Sequence, residues 1–161
     1  MDAIDHFAVE AVRFEAWAHS SEPDCRTAVR TALFRIASLY LAGLQLPQPD
    51  AGELNTFNPV EPLTQEQNSG IVAYKTIPID MYGEIFNPLV VPPESPVIGS
   101  IVDNVIGIYR DVVMGLRAYQ TGNRTGAIWE WKFGLQHHWG EHATGAMRAL
   151  HAWLSAHEID M

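Results

Sequence analysis

Residues 125–157 read TGAIWEWKFGLQHHWGEHATGAMRALHAWLSAH, and their spacing decides the fold. At about 100° per residue, Ile128, Trp131, Leu135, Trp139, His142, Ala146, Ala149, Leu150 and Trp153 fall on one face, which predicts helix. The run is much longer than the roughly 11–12 residues of an average globular helix. Gly126, Gly134, Gly140 and Gly145 lie inside it, so one bent helix or two nearly collinear helices are expected. His142 sits in the middle of the apolar face and His138 at its edge near Trp131, whereas His137, Glu130, Glu141 and Arg148 point the other way. Two histidines one turn apart are thus expected to face the interior.

Upstream, residues 98–120 carry a second helical pattern. Ile101, Val102, Val105, Ile106, Ile108, Tyr109, Val112, Val113 and Leu116 cover a wide arc, with Asp103, Arg110, Asp111 and Arg117 outside it. An arc that wide suggests a helix packed on two sides and central in a bundle. Ser100 reads as a helix cap, Gly122 can end the helix in a left-handed cap, and Asn123 can start the next. At the other end of the chain, Phe7, Ala11, Phe14 and Trp17 recur at helical spacing in a helix expected from Asp2 or Asp5 to about His19. Asp24 then caps a second helix to about Leu46, with Val29, Leu33, Ile36, Tyr40 and Leu44 as its buried stripe.

Nine of the ten prolines fall between Pro47 and Pro96. Proline removes an amide donor and restricts its predecessor, so the middle third cannot be long uninterrupted helix. A loop over 47–63, a short helix over 64–74, another over 79–86 that stops before Pro88, and an extended connector over 90–96 are expected. The fold class is therefore all-α: a single helical domain over 1–161, a bundle with a Pro-rich, loop-bearing middle.

Composition limits the function classes. Hydrophobic residues make up 47% of the chain and charged residues 18%, enough apolar material for a real core. Net charge is −9, with 10 basic against 19 acidic residues. A nucleic-acid partner needs a basic stripe to displace counterions, and an anionic membrane surface needs one too, so both are disfavoured. The lone Cys25 cannot form an internal disulfide, and a small buried thiol is its default role. The N-terminus has no leader pattern and no apolar run is long enough to span a membrane, so a cytoplasmic protein is expected.

The chemistry-bearing residues form three groups. In the first, His138 and His142 stand at i and i+4, and His138-Trp139-Gly140-Glu141-His142 matches the reversed zinc-protease pattern H-x-x-E-H. Two such histidines can share one divalent ion such as Zn, with Glu84 or Asp111 completing the shell in a metal-dependent hydrolase. They can equally belong to a polar network in which each imidazole meets a carboxylate, a tyrosine or a carbonyl, and that reading requires no cofactor. The second group, Tyr82, Glu84, Phe86 and Asn87, can wall a pocket, or stop a helix with Phe86 anchoring the loop. In the third, Tyr109 belongs to the apolar arc and Asp111 borders it, where it can pair with a base on a neighbour. No nucleophile elbow, phosphate loop or dinucleotide fingerprint appears.

Three blocks carry a family resemblance. Gly99 to Asp103, Ile108 to Asp111 and Gly115-Leu116 form one; Trp129 to Phe133, His138 to Gly140 and Arg148 to His151 form another; Tyr82 to Pro88 forms the central motif. Together they resemble the bacterial proteins grouped as domain of unknown function 5063, in which Asp is expected where this chain has Asn87. The resemblance implies a small helical protein without an assigned activity and carries over no catalytic residue. The leading expectation is a cytosolic binding or interaction module with a pocket lined by Tyr82, Glu84, Trp131, His138 and His142, and with Tyr109, Asp111 and Trp139 nearby. Its partner would be a small molecule or a protein. The alternatives are the metal-dependent hydrolase and a structural helical subunit forming a homodimer.

Overall fold

The computed structural model describes residues 1–49, 52 and 58–157. Among these, five α-helices are seen: α1 Ala3–Ala18, α2 Cys25–Leu44, α3 Ile101–Gln120, α4 Arg124–His137 and α5 Trp139–His157. A 3₁₀ turn at Ala73–Thr76 and an antiparallel hairpin, β1 Met81–Glu84 with β2 Val97–Ser100, lie between α2 and α3. The fold is mostly helical.

Short polar side chains set the helix starts. Asp2 Oδ1 accepts from the amides of Ile4 and Asp5 at 3.0 and 2.8 Å, and Asp24 Oδ1 accepts from Thr27 at 2.8 Å. Ser100 Oγ accepts from Asp103 at 3.1 Å, and Asn123 Oδ1 from Gly126 at 3.0 Å. Each bond satisfies an amide that has no partner inside its own helix. Gly122 ends α3 at φ +85°, the left-handed conformation that its missing Cβ permits.

The middle of the chain departs from the expected helices. The 64–74 segment holds a turn at 65–68 and leads into the 3₁₀ turn, and the 79–86 segment holds β1 instead of a helix. The cause is pairing with residues further along the chain: Met81 with Ser100, Tyr82 with Gly99, Gly83 with Ile98 and Glu84 with Val97. Residues 97–100 are consequently strand, so α3 begins at Ile101 and not at residue 98. The expected extended connector instead turns back at residues 88–92, where Asn87 Oδ1 accepts from the amide of Leu89 at 3.1 Å. Within the expected 47–63 loop, residues 50, 51 and 53–57 lie outside the described residues, as do Glu158 and Asp160 of the tail.

Helix α3 packs against α1, α4 and α5, in keeping with its wide apolar arc. Ile101, Val105, Ile108, Val112, Val113 and Leu116 are all buried. On α2, Val29 and Ile36 are buried as the stripe predicts, but Leu44 is exposed at the helix end and Ala32, Leu39 and Ala42 complete the face. Cys25 is exposed at the first turn of α2 and not buried.

The long C-terminal stretch is two helices broken at His138, whose backbone leaves the helical region at φ −151°, ψ −81°. Two indoles hold the break. Trp131 Nε1 donates to the carbonyl of Val112 on α3 at 2.9 Å, and Trp139 Nε1 donates to the carbonyl of Trp131 at 2.9 Å. Both side chains are fully buried, and the Phe7 ring of α1 packs tilted against them with ring centroids 4.5 and 6.0 Å away. Burying an indole stabilises by at most about 4–6 kcal/mol for roughly 150–250 Å². An unpaired N–H would take back about 1–3 kcal/mol of that, so the two bonds decide how much of the gain survives.

The indole of Trp131 fits because position 115 has no side chain: a Cβ on Gly115 would lie 2.3 Å from Trp131 Nε1. Gly115→Ala is therefore expected to destabilise by about 1–3 kcal/mol, lowering Tm by several degrees. Gly83→Ala, where nothing lies within 4 Å, is expected to change Tm far less. Calorimetry of the two variants checks this, and equal shifts would contradict the packing described.

Candidate functional site

The hairpin sets its inward side chains, Tyr82 and Glu84, against α3 and α5. Opposite residues of an antiparallel pair share a face, so Tyr82 lies over Gly99, and a Cβ there would sit 2.4 Å from the phenol ring. On α5, a Cβ at Gly145 would fall 2.6 Å from both Tyr82 Oη and Glu84 Oε1. On α3, one at Gly107 would fall 2.8 Å from the His142 ring. Small residues on three elements thus let polar groups converge.

Those groups form a directed chain. His142 Nδ1–H donates to Asn104 Oδ1 at 2.9 Å, Asn104 Nδ2–H donates to Tyr82 Oη at 2.7 Å, and the Tyr82 hydroxyl donates to the Glu84 carboxylate. The bond to Asn104 fixes the tautomer of His142, leaving Nε2 bare against Gly107. Burial, with the neighbouring His138 adding to it, pushes the His142 imidazole below its ordinary range and favours the neutral ring. Burial also pushes the Tyr82 phenol up, against the stabilising donation from Asn104 and reinforced by the Glu84 charge.

A second branch opens to solvent. The His138 ring meets the His142 ring edge-on, centroids 4.8 Å apart at 82°. His138 Nδ1–H donates to Asp111 Oδ2 at 2.7 Å, with the His138 side chain 52% exposed and that of Asp111 19%. Asp111 also acts on Glu130 of α4. Burial first and the Asp111 charge second push the Glu130 carboxyl up to about 7. The arrangement therefore joins a half-buried imidazole whose neutral form is favoured, an exposed imidazole paired with a carboxylate, and a carboxyl that titrates near neutrality. It can hold protons and accept hydrogen bonds from a cationic or donor group. Among the described residues, no group of three or more His, Cys, Asp or Glu is placed to hold a metal ion.

The sequence-derived residues divide accordingly. Tyr82, Glu84, Asp111, His138 and His142 come together in this seam. Trp131 and Trp139 are fully buried core and do not line an open pocket. Tyr109 lies elsewhere: its hydroxyl donates to the Gln67 carbonyl at 3.0 Å and meets His19 Nε2 at 2.9 Å, pinning the segment after α2 to the core. His138 does not face the interior. It is the residue between α4 and α5, so the wheel phase does not carry across it. Glu130, expected to face away, is half-buried beside Asp111. Phe86 does not anchor the loop; it is exposed. Two concavities lie away from the seam. One, of about 700 Å³, is lined by Asn58, Glu61, Arg117 and Arg124 among others; one of about 420 Å³ lies between α1 and the end of α3. Asn104 and Glu130 escaped the sequence reading. Asn104 stands three residues after Ile101 and four before Ile108, both fully buried, and Glu130 stands four residues from each of Gly126 and Gly134, buried glycines that a wheel of apolar side chains does not count.

These features describe a helical scaffold with a hairpin tied to it by a polar seam. The chain belongs to the family described as Domain of unknown function (DUF5063), whose model matches residues 2–156. It shares its fold with protein BF1032 from Bacteroides fragilis, a crystal structure from the Northeast Structural Genomics Consortium. The TM-score is 0.71 at 20% identity, over 94% of this chain and 95% of that one. No curated protein matches the chain. Among the described residues, no helix is long and apolar enough to cross a membrane.

Glu130 offers a test. Its folded-state value, about 7, lies above the ordinary 4.5, so the native state binds the extra proton in that window. The stability associated with the neutral carboxyl is fully present below 4.5 and is lost as pH rises through about 7. Glu130→Gln is therefore expected to be more stable than the parent at about pH 8, with the gain shrinking towards about pH 5. Urea unfolding at both pH values checks this, and a difference independent of pH would contradict the placement of Glu130.

Proposed function

We propose that this protein is a small cytosolic interaction module whose contact surface is the β1–β2 hairpin and whose polar seam holds that hairpin against the helices. One observation carries the reading. Met81, Phe86, Leu89, Val91 and Ile98, all within the hairpin and its turn, are 68%, 73%, 89%, 87% and 79% exposed. Burying a side chain of this kind stabilises by about 1.5–3 kcal/mol, and a grouped set left in water marks a surface that a partner covers. Met81 and Ile98 lie on the outward face of the pair, opposite the face that Tyr82 and Glu84 turn to α5.

The seam supports binding ahead of hydrolysis. The Nδ1 atoms of His138 and His142, the Asn104 amide and the Tyr82 hydroxyl are engaged with one another or with Asp111 and Glu84. That arrangement positions the hairpin. The acidic balance of the chain supports a protein partner over nucleic acid.

The double variant Phe86→Ser/Ile98→Ser is expected to keep the parent's Tm while losing a stoichiometric protein partner that co-purifies with the parent. Tagged parent and variant, purified side by side, check this. The same retained set for both would contradict the reading. A parent that runs as a dimer, with the variant a monomer by light scattering, would replace it with the homodimer.

A further inference from the structure

Resting on that reading, we infer that the hairpin takes a partner segment that is both apolar and cationic, and not a second copy of this chain or an anionic membrane surface. Charge is distributed one-sidedly along the exposed element. From residue 76 to residue 109 there is no Lys, Arg or His, while Asp80, Glu84, Glu94 and Asp103 all fall there. The hairpin and its turn occupy the centre of this basic-free run. Glu94 is exposed in the turn that also displays Leu89 and Val91. Glu84, at the end of β1, faces α5 and is taken up by Tyr82, so Glu94 is the carboxylate this end of the hairpin offers to a partner.

Three occupants could cover the apolar side chains, and charge separates them. A two-fold pair of identical hairpins brings the same basic-free run to both sides of the contact, with no Lys, Arg or His in it to offset Glu94. An anionic bilayer surface repels Glu94 and meets no base in the run to hold it. A partner segment with Lys or Arg beside apolar residues buries the exposed side chains and places its cations at Glu94. Complementary potential of this kind sets partner choice and association rate.

The experiment follows backbone amide shifts of ¹⁵N-labelled full-length protein titrated with a synthetic peptide of repeated Lys-Leu-Ala-Lys, and with its counterpart in which Glu replaces Lys. Saturable shifts confined to residues 81–98 are expected with the cationic peptide and none with the acidic one. Glu94→Lys, an exposed position, is expected to weaken that binding about tenfold, and Phe86→Ser/Ile98→Ser to abolish it. Equal binding of both peptides at the hairpin, or no weakening by Glu94→Lys, would overturn the partner chemistry and leave the docking surface standing. No hairpin shifts with either peptide would overturn both. Concentration-dependent hairpin shifts in the free protein, with a dimer mass by sedimentation, would overturn the inference in favour of a second copy.

Discussion

The hydrogen bond from the Trp139 indole to the Trp131 carbonyl is made across a break in the chain, and the rest of the structure is arranged around it. Trp131 is itself tied to the carbonyl of Val112. Three helices are therefore joined through two indoles in a core that also receives Phe7 from α1 and, edge-on, Tyr40 from α2. An indole buried this deeply tolerates little displacement, because its large apolar gain depends on one N–H finding one acceptor. The angle between α4 and α5 follows from that requirement. So does the position of His138, which the break releases from the helix and sets beside Asp111.

The seam is a second consequence. Once α5 is held against α3, His142 packs on Gly107 and reaches Asn104, and Gly145 leaves room for Tyr82 and Glu84. The buried end of the seam holds neutral donors that run in one direction to a carboxylate. The exposed end holds Asp111 beside His138. Desolvation accounts for both ends: it favours the neutral forms of His142 and Glu130, while the partly exposed Asp111 pairs with His138. Polar groups that look catalytic in a sequence are here ordered as a bridge between a hairpin and a helical bundle.

Much of the scaffold could be read from local pattern. The caps at Asp2, Asp24, Ser100 and Asn123, the left-handed Gly122 and the central helix follow from short-range rules, and they stand in the structure. The hairpin could not be read that way, because Tyr82 and Gly99 pair across a proline-rich turn and neither strand is patterned alone. The same limit affected the site. One helix face carries His142, so its side of the helix can be read from spacing. A wheel assumes a continuous helix and so does not carry to His138 at the break, and an aromatic side chain on an inner face, such as Trp131, can line either a cavity or a core. Glu130 and Asn104 border the buried faces of their helices, and their partners Asp111 and Tyr82 come from other elements.

The polar chain from His142 to Glu84 ties the hairpin to the bundle, and the tautomer of His142 tests it most directly. Long-range ¹H–¹⁵N correlation of the imidazole at about pH 7.5, where burial favours the neutral ring, reads which nitrogen carries the proton. The bond to Asn104 predicts protonated Nδ1 and bare Nε2, with the pattern lost in Asn104→Leu. An Nε2–H tautomer in the parent protein, or a ring unaffected by that substitution, would contradict the seam.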